Sequence, residues 1–261
     1  MKIKSTIFRL VSRPIGFFLF TFFKKKKIVL IFSTIRSGST LLKALLSEAS
    51  DVSKLPEINF LRYNNKYSQY FLFMYALWRY DSFEKSIILI KRPVGIGFKG
   101  GYNKIDMDNI IPIFLIRNPM ATYDSIMRMP TEYTKYYRDK EAFITYWLST
   151  YEQLISLFPR LRYCKNNPIL LRYEDLVADP VKVTKKIFDR VGSHQKSGVH
   201  TYSFPKKWEW KWGTDDGGEV IKSGKVESKL RNNFTGYDFD TNQLNRDRIN
   251  NLSKYFKEIL Y

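Results

Sequence analysis

The sequence predicts an α/β protein with a central parallel sheet flanked by helices. Three observations carry that expectation. Short β-branched apolar runs alternate with longer stretches of helical period. The first run passes through a polar turn directly into leucines at helical spacing, the strand–loop–helix entry to such a fold. With 44% hydrophobic residues among 261, the chain can bury a large core, as one large domain or two small ones.

Ile28-Val29-Leu30-Ile31-Phe32 reads as a buried strand, Ser33 to Ser39 as a turn, and Leu41, Leu42, Leu45 and Leu46 as one helix face. Residues 60–83, rich in Tyr and Phe, read as helix. Ile110 to Ile116 reads as a second buried strand, although Pro112 removes one ladder donor. Pro119 stands where proline opens a helix. Glu141 to Leu161 reads as a long helix, Ile169-Leu170-Leu171 as a third strand, and Pro180 to Val191 as a helix closed by Gly192. The stretch 193–240 is loop-rich, and a final helix is expected from Asn242 to Leu260. The chain shows no internal repeat and no interior linker.

The single cysteine, Cys164, excludes an intramolecular disulfide and any multi-cysteine metal centre. Two histidines, His194 and His200, leave little for a histidine-rich site, and no metal is expected. The net charge of +19 calls for an anionic partner: a phosphate ligand, nucleic acid, an acidic polymer or a membrane face. Residues 1–27 are set apart as a basic, aromatic amino-terminal segment without a single acid. Their apolar stretch, Pro14 to Phe23, is far short of the roughly 20 residues that span a bilayer, and no small-residue cleavage site follows it. Two readings stand: an interfacial anchor on anionic lipid, or a helix packed on the domain.

The turn Ser33-Thr34-Ile35-Arg36-Ser37-Gly38-Ser39-Thr40 lies between strand and helix, where backbone N–H groups can converge on one anion. Gly38 lets the backbone approach closely, Ser37, Ser39 and Thr40 add hydroxyls, and Arg36 adds a planar cation. It lacks the G-x-x-x-x-G-K-[ST] spacing of the nucleotide-triphosphate loop. This turn resembles the first signature of sulfotransferases that use 3′-phosphoadenosine 5′-phosphosulfate (PAPS). In that family such a loop holds the 5′-phosphosulfate, and Arg36 falls at the catalytic lysine or arginine. The arginine version is similar to the bacterial and carbohydrate-acting branches. In Arg117-Asn118-Pro119, Arg117 closes a strand, and Ser125 follows it by eight residues on the next helix. That pattern resembles the family's second signature, which grips the 3′-phosphate. A third stretch, Arg172-Tyr173-Glu174-Asp175-Leu176 with Asp179-Pro180, resembles the R-Y-E-D-L element of many of these enzymes. Tyr173 and Glu174 are expected to tie the strand end to the helix, and Asp179 to cap the helix.

The resemblance implies a P-loop-like sulfotransferase fold over residues 28–261 and sulfuryl transfer from PAPS to an acceptor hydroxyl, with 3′,5′-bisphosphoadenosine as product. The expected acceptor is a carbohydrate or polysaccharide. The histidine base of the cytosolic branch is absent, since Phe98-Lys99-Gly100-Gly101 stands at its place. Lys99 remains as a donor-side cation, and Glu57, in Leu55-Pro56-Glu57, resembles the glutamate base of bacterial sugar sulfotransferases. Lys225 and Arg231 match loosely the late basic segment that closes over the 3′-phosphate. Trp208, Trp210 and Trp212 read as a buried strand face or as sugar platforms.

Two rivals remain at this stage. An ATP-dependent P-loop phosphotransferase would need the missing glycine–lysine pair and magnesium. A non-enzymatic basic protein on membrane or nucleic acid would explain the charge without Arg36 or Ser125, but no nucleic-acid module is recognisable. The expected location is the cytoplasm, at or near the inner membrane face.

Overall fold

The computed structural model describes residues 15, 25–56, 66–94, 110–128, 137, 139–161, 168–203, 223–226 and 243–260. In chain order these form β1 (Lys27–Thr34), α1 (Ser39–Leu46), α2 (Lys66–Arg79), β2 (Ile87–Val94), β3 (Ile110–Ile116), α3 (Pro119–Met127), α4 (Lys140–Leu161), β4 (Ile169–Arg172), α5 (Tyr173–Ala178), α6 (Pro180–Val191) and α7 (Gln243–Leu260). The strands make a parallel sheet in the order β2-β1-β3-β4, the expected fold class. β2 is an addition to the sequence reading. Its apolar start, Ile87 to Ile90, pairs Lys27 to Leu30 of β1, but the Lys91-Arg92-Pro93 that follows disguises it as a loop.

Strand residues alternate between two cores, because successive side chains leave opposite faces of a sheet. Ile28, Leu30 and Phe32 meet α2, α4 and α7 through Phe73, Trp147 and Ile249. Val29 and Ile31 meet α1, α5 and α6 through Leu42, Leu176 and Phe188. β3 is buried along its whole length, which is why its sequence is continuously apolar rather than alternating. Pro112 sits within it, opposite Leu30.

The helix ends follow local chemistry. Asn118 accepts from the Ala121 N–H ahead of Pro119, and Asp179 accepts from the Lys182 N–H ahead of Pro180. α6 ends in a Schellman pattern: Gly192 takes φ 63, and the Gly192 and Ser193 N–H groups return to Asp189 and Phe188.

The connections from β1 and β3 leave in opposite directions, α1 to one face and α3 toward the α4 face. β1 and β3 are nevertheless neighbours. Their carboxyl ends therefore border the crevice where open α/β sheets bind ligands.

The lysine run is divided between chain and domain. Lys26 Nζ donates to the carbonyls of Phe83 and Lys85 at 2.8 and 2.6 Å, and burial holds its pKa below the ordinary value against the opposing pull of Glu84. Lys27 begins β1 and donates to the Val191 carbonyl at 2.8 Å. These two lysines serve the sheet. Apart from Ile15, residues 1–24 lie outside the described residues. Among the described residues no helix is long and apolar enough to cross a membrane.

Asp51 clamps the end of α6 to the segment beside β2. It accepts from Ser193 Oγ at 2.6 Å and from the His194 N–H at 2.9 Å. Burial alone would raise its pKa, but these hydrogen bonds outweigh it and hold the carboxyl below its ordinary value of 3.8. The carboxylate's contribution is therefore complete above about pH 4 and is lost as pH falls through the lower folded value. Asp51→Asn is expected to lower the urea unfolding free energy at pH 7 by about 1–3 kcal/mol. The gap between variant and parent should narrow as pH falls below the ordinary carboxylate range; a gap that widens on acidification contradicts this account.

Candidate active site

The turn after β1 carries two left-handed residues, Arg36 at φ 59 and Gly38 at φ 89. That conformation is free for glycine but costs an arginine about 1–2 kcal/mol, so Arg36 must be held in place. Three contacts do so. Arg117 Nη1 donates to the Arg36 carbonyl at 2.8 Å. Arg36 Nε donates to Ser125 Oγ at 3.2 Å. Ser37 Oγ donates to the Thr34 carbonyl at 2.8 Å and closes the turn from inside. The three residues singled out in the two motifs, Arg36, Arg117 and Ser125, thus meet at one place.

The hydroxyls of the turn are not equivalent. Ser37 is buried with its proton committed to Thr34, so it has a backbone N–H to offer rather than the hydroxyl donor expected of it. Thr40 Oγ1 accepts from Lys91 Nζ at 2.6 Å. α1 starts at Ser39 behind Gly38, which supplies no side-chain cap, at the carboxyl end of β1.

Lys91 was missed by sequence reasoning. It is buried in β2, opposite Ile31 of β1. The available signal was a lysine directly after four apolar strand residues, since a buried charge in a sheet needs a polar reason.

Arg117 is the most constrained cation of the group. Its guanidinium carbon lies 4.4 Å from the centre of the Tyr173 ring. Burial pushes its pKa down, as do the like charges of Arg36 and Arg128, while Tyr173 and Glu174 act the other way. Its Nε is buried without a hydrogen-bond partner among the described residues. Glu174 Oε1 accepts from the Asn118 N–H at 2.8 Å, which ties α5 to the turn after β3 rather than, as expected, the end of β4 to the helix that follows it.

α4 supports both turns from one side. The Tyr146 hydroxyl accepts from the Ile35 N–H at 3.0 Å, and Trp147 Nε1 donates to the Arg117 carbonyl at 3.2 Å. The Tyr151 hydroxyl donates to the Leu115 carbonyl at 3.0 Å and lies 3.2 Å from Thr34 Oγ1.

Other expected site residues are not joined to this cluster. Lys225 pairs with Thr201 in an isolated antiparallel bridge, near where Ser203 bonds Glu48 at the end of α1. No contact among the described residues links it to Arg36 or Arg117. Glu57, Lys99, Arg231 and the three tryptophans Trp208, Trp210 and Trp212 lie outside the described residues.

A crevice with two guanidinium groups, an uncapped helix start, a hydroxyl and an unsatisfied buried N–H is suited to a multiply charged anion. Residues 109–195, from the start of β3 to just past α6, match the model described as "Sulfotransferase family". Among solved structures, the chain is similar to a sulfotransferase domain from the curacin biosynthetic pathway, with 15% identity and a TM-score of 0.67 over 87% of this chain and 98% of that one. It is also similar to the sulfotransferase domain of the Synechococcus PCC 7002 olefin synthase, with 18% identity and a TM-score of 0.59 over 88% and 95%. No curated protein matches the sequence. The family match thus covers β3 to α6, and the chain as a whole shares its fold with sulfotransferase domains.

Proposed function

We propose that this enzyme uses PAPS as donor and sulfates a carbohydrate hydroxyl. The observation that carries the donor reading is the meeting of Arg36, Arg117 and Ser125 in one crevice, with Arg117 Nε left unsatisfied. When bound, the donor supplies a sulfuryl group on a bisphosphate leaving group. Arg36 and the N–H groups at the start of α1 hold the 5′ side and neutralise charge on the leaving oxygen. Arg117 and Ser125 hold the 3′-phosphate. Lys91 acts through Thr40, which it fixes at the helix start. Glu57 takes the proton from the acceptor hydroxyl, Lys99 adds a donor-side cation, and Lys225 and Arg231 close over the 3′-phosphate. The carbohydrate acceptor is supported by arginine rather than lysine at position 36 and by a glutamate in place of a histidine base.

In residues 1–27, aromatics between basic ends support a peripheral contact with the anionic inner membrane face, on a chain otherwise placed in the cytoplasm.

Three outcomes follow. In magnesium-free calorimetry, 3′,5′-bisphosphoadenosine should bind more tightly than ATP or 5′-AMP, and Arg117→Ala should weaken it at least about 30-fold; preference for magnesium-ATP overturns the donor reading. With radiolabelled PAPS and a panel of mono- and polysaccharides, label should reach a sugar. Glu57→Gln should then cut transfer by about 10²–10⁴-fold without changing bisphosphoadenosine affinity; label on none of the sugars sinks the carbohydrate assignment. The full chain should co-sediment with phosphatidylglycerol vesicles but not phosphatidylcholine ones, and salt should release it; equal binding to both lipids contradicts the electrostatic contact.

A further inference from the structure

We infer that Tyr173 is a positioning residue of the donor site, a single aromatic ring that fixes the spacing between the β1 turn and Arg117. The inference rests on the donor reading and adds to it a residue that none of the phosphate-binding motifs contains.

One edge of the ring lies where a side chain at Gly38 would be, since a Cβ built there would collide with Tyr173 Cδ2 and Cε2. Gly38 is thus required twice, for its φ of 89 and for the room the ring occupies. The ring's face lies against the Arg117 guanidinium, 4.4 Å from its carbon. Arg117 in turn donates to the Arg36 carbonyl at 2.8 Å. Ring, guanidinium and turn therefore close a circuit: Tyr173 touches Gly38, Arg117 touches Tyr173, and Arg36 touches Arg117. Removing the ring leaves the guanidinium held on one side only and opens space beneath the turn.

The ring's own anchorage is firm. Tyr173 begins α5 directly after β4, whose register against β3 pairs Arg172 with Ile116. Its neighbour Glu174 bonds the Asn118 N–H at 2.8 Å. The ring is therefore carried by the sheet itself, and it transmits the position of β4 to the two turns that hold the anion. Contact with the guanidinium and glycine is made by the ring, so the phenol hydroxyl is dispensable for this role.

Affinity for 3′,5′-bisphosphoadenosine is the readout, beside a urea titration for each variant. Tyr173→Leu should weaken binding on the order of 10- to 100-fold under conditions where the variant is folded. Tyr173→Phe should restore it to within about fivefold of the parent. Gly38→Ala meets the same ring but also strains the φ of 89, so it should lose at least as much. Where Tyr173→Leu does not fold, Tyr173→Met, which fills similar volume without a ring face, should give the same loss of about 10- to 100-fold. The double variant should lose less than the product of the two single losses, because both act on one contact. Binding unaffected by Tyr173→Leu or by Gly38→Ala, or not restored by Tyr173→Phe, overturns the positioning role alone. A parent protein that does not bind the bisphosphate overturns the donor reading, and this one with it.

Discussion

Two arginines occupy one crevice, and the hydrogen bond from the Arg117 guanidinium to the Arg36 carbonyl is what makes that arrangement possible. Like charges repel, and the low dielectric of a partly buried site strengthens the repulsion. The carbonyl offsets part of it by turning its negative end toward Arg117. Ser125 takes Arg36 Nε, and the electron-rich face of Tyr173 meets Arg117. Glu174 supplies an opposing charge but directs one oxygen to the Asn118 N–H. Among the described residues, Arg117 is held by a carbonyl and a ring face, and its Nε remains without a hydrogen-bond partner. A buried guanidinium N–H left in that state favours an anionic acceptor.

The same geometry explains the aromatic content of α4. A turn that places an arginine at positive φ needs outside support, and α4 provides it through polar atoms at the tips of large side chains. Tyr146, Trp147 and Tyr151 bury their rings in the core below the sheet. Their hydroxyl and indole groups reach the backbone of Ile35, Arg117 and Leu115. Each residue contributes apolar burial and one directed hydrogen bond. The site is therefore coupled to the core, and a substitution in α4 would act on both turns at once.

How much could be read beforehand depended on whether the signal was local. β1, β3, β4 and the capped helices were legible because apolar runs, Asn118-Pro119, Asp179-Pro180 and Gly192 act over a few residues. Arg36, Arg117 and Ser125 were legible as a group because each lies at a fixed offset from a strand end. β2 was hidden by Lys91-Arg92-Pro93, whose reason is tertiary: Lys91 lies over the α1 start and meets Thr40. The inward turn of Ser37 was equally out of reach, since a hydroxyl in a polar loop looks alike whether it faces ligand or its own backbone. Tyr173 was expected to tie β4 to its helix; its contacts with Gly38 and Arg117 join residues far apart in the chain, beyond the reach of a local pattern.

The net charge of +19 takes on a different meaning once individual cations are placed. Lys26 caps carbonyls just ahead of β2, Lys27 caps the carboxyl end of α6, and Lys91, buried in β2, donates to Thr40 Oγ1. These are structural uses of a long side chain, whose methylenes pack while the amine finds an oxygen. They account for part of the excess without any partner. Arg36 and Arg117 differ in kind, since they stand beyond the carboxyl ends of the neighbouring strands β1 and β3. A general attraction to anions would spread cations over the surface; here the fold joins two of them, Arg117 bonding the Arg36 carbonyl in the turn that leads into α1. Bulk charge bears on how any anion approaches the protein, whereas the β1 and β3 turns carry the two arginines that the fold brings together.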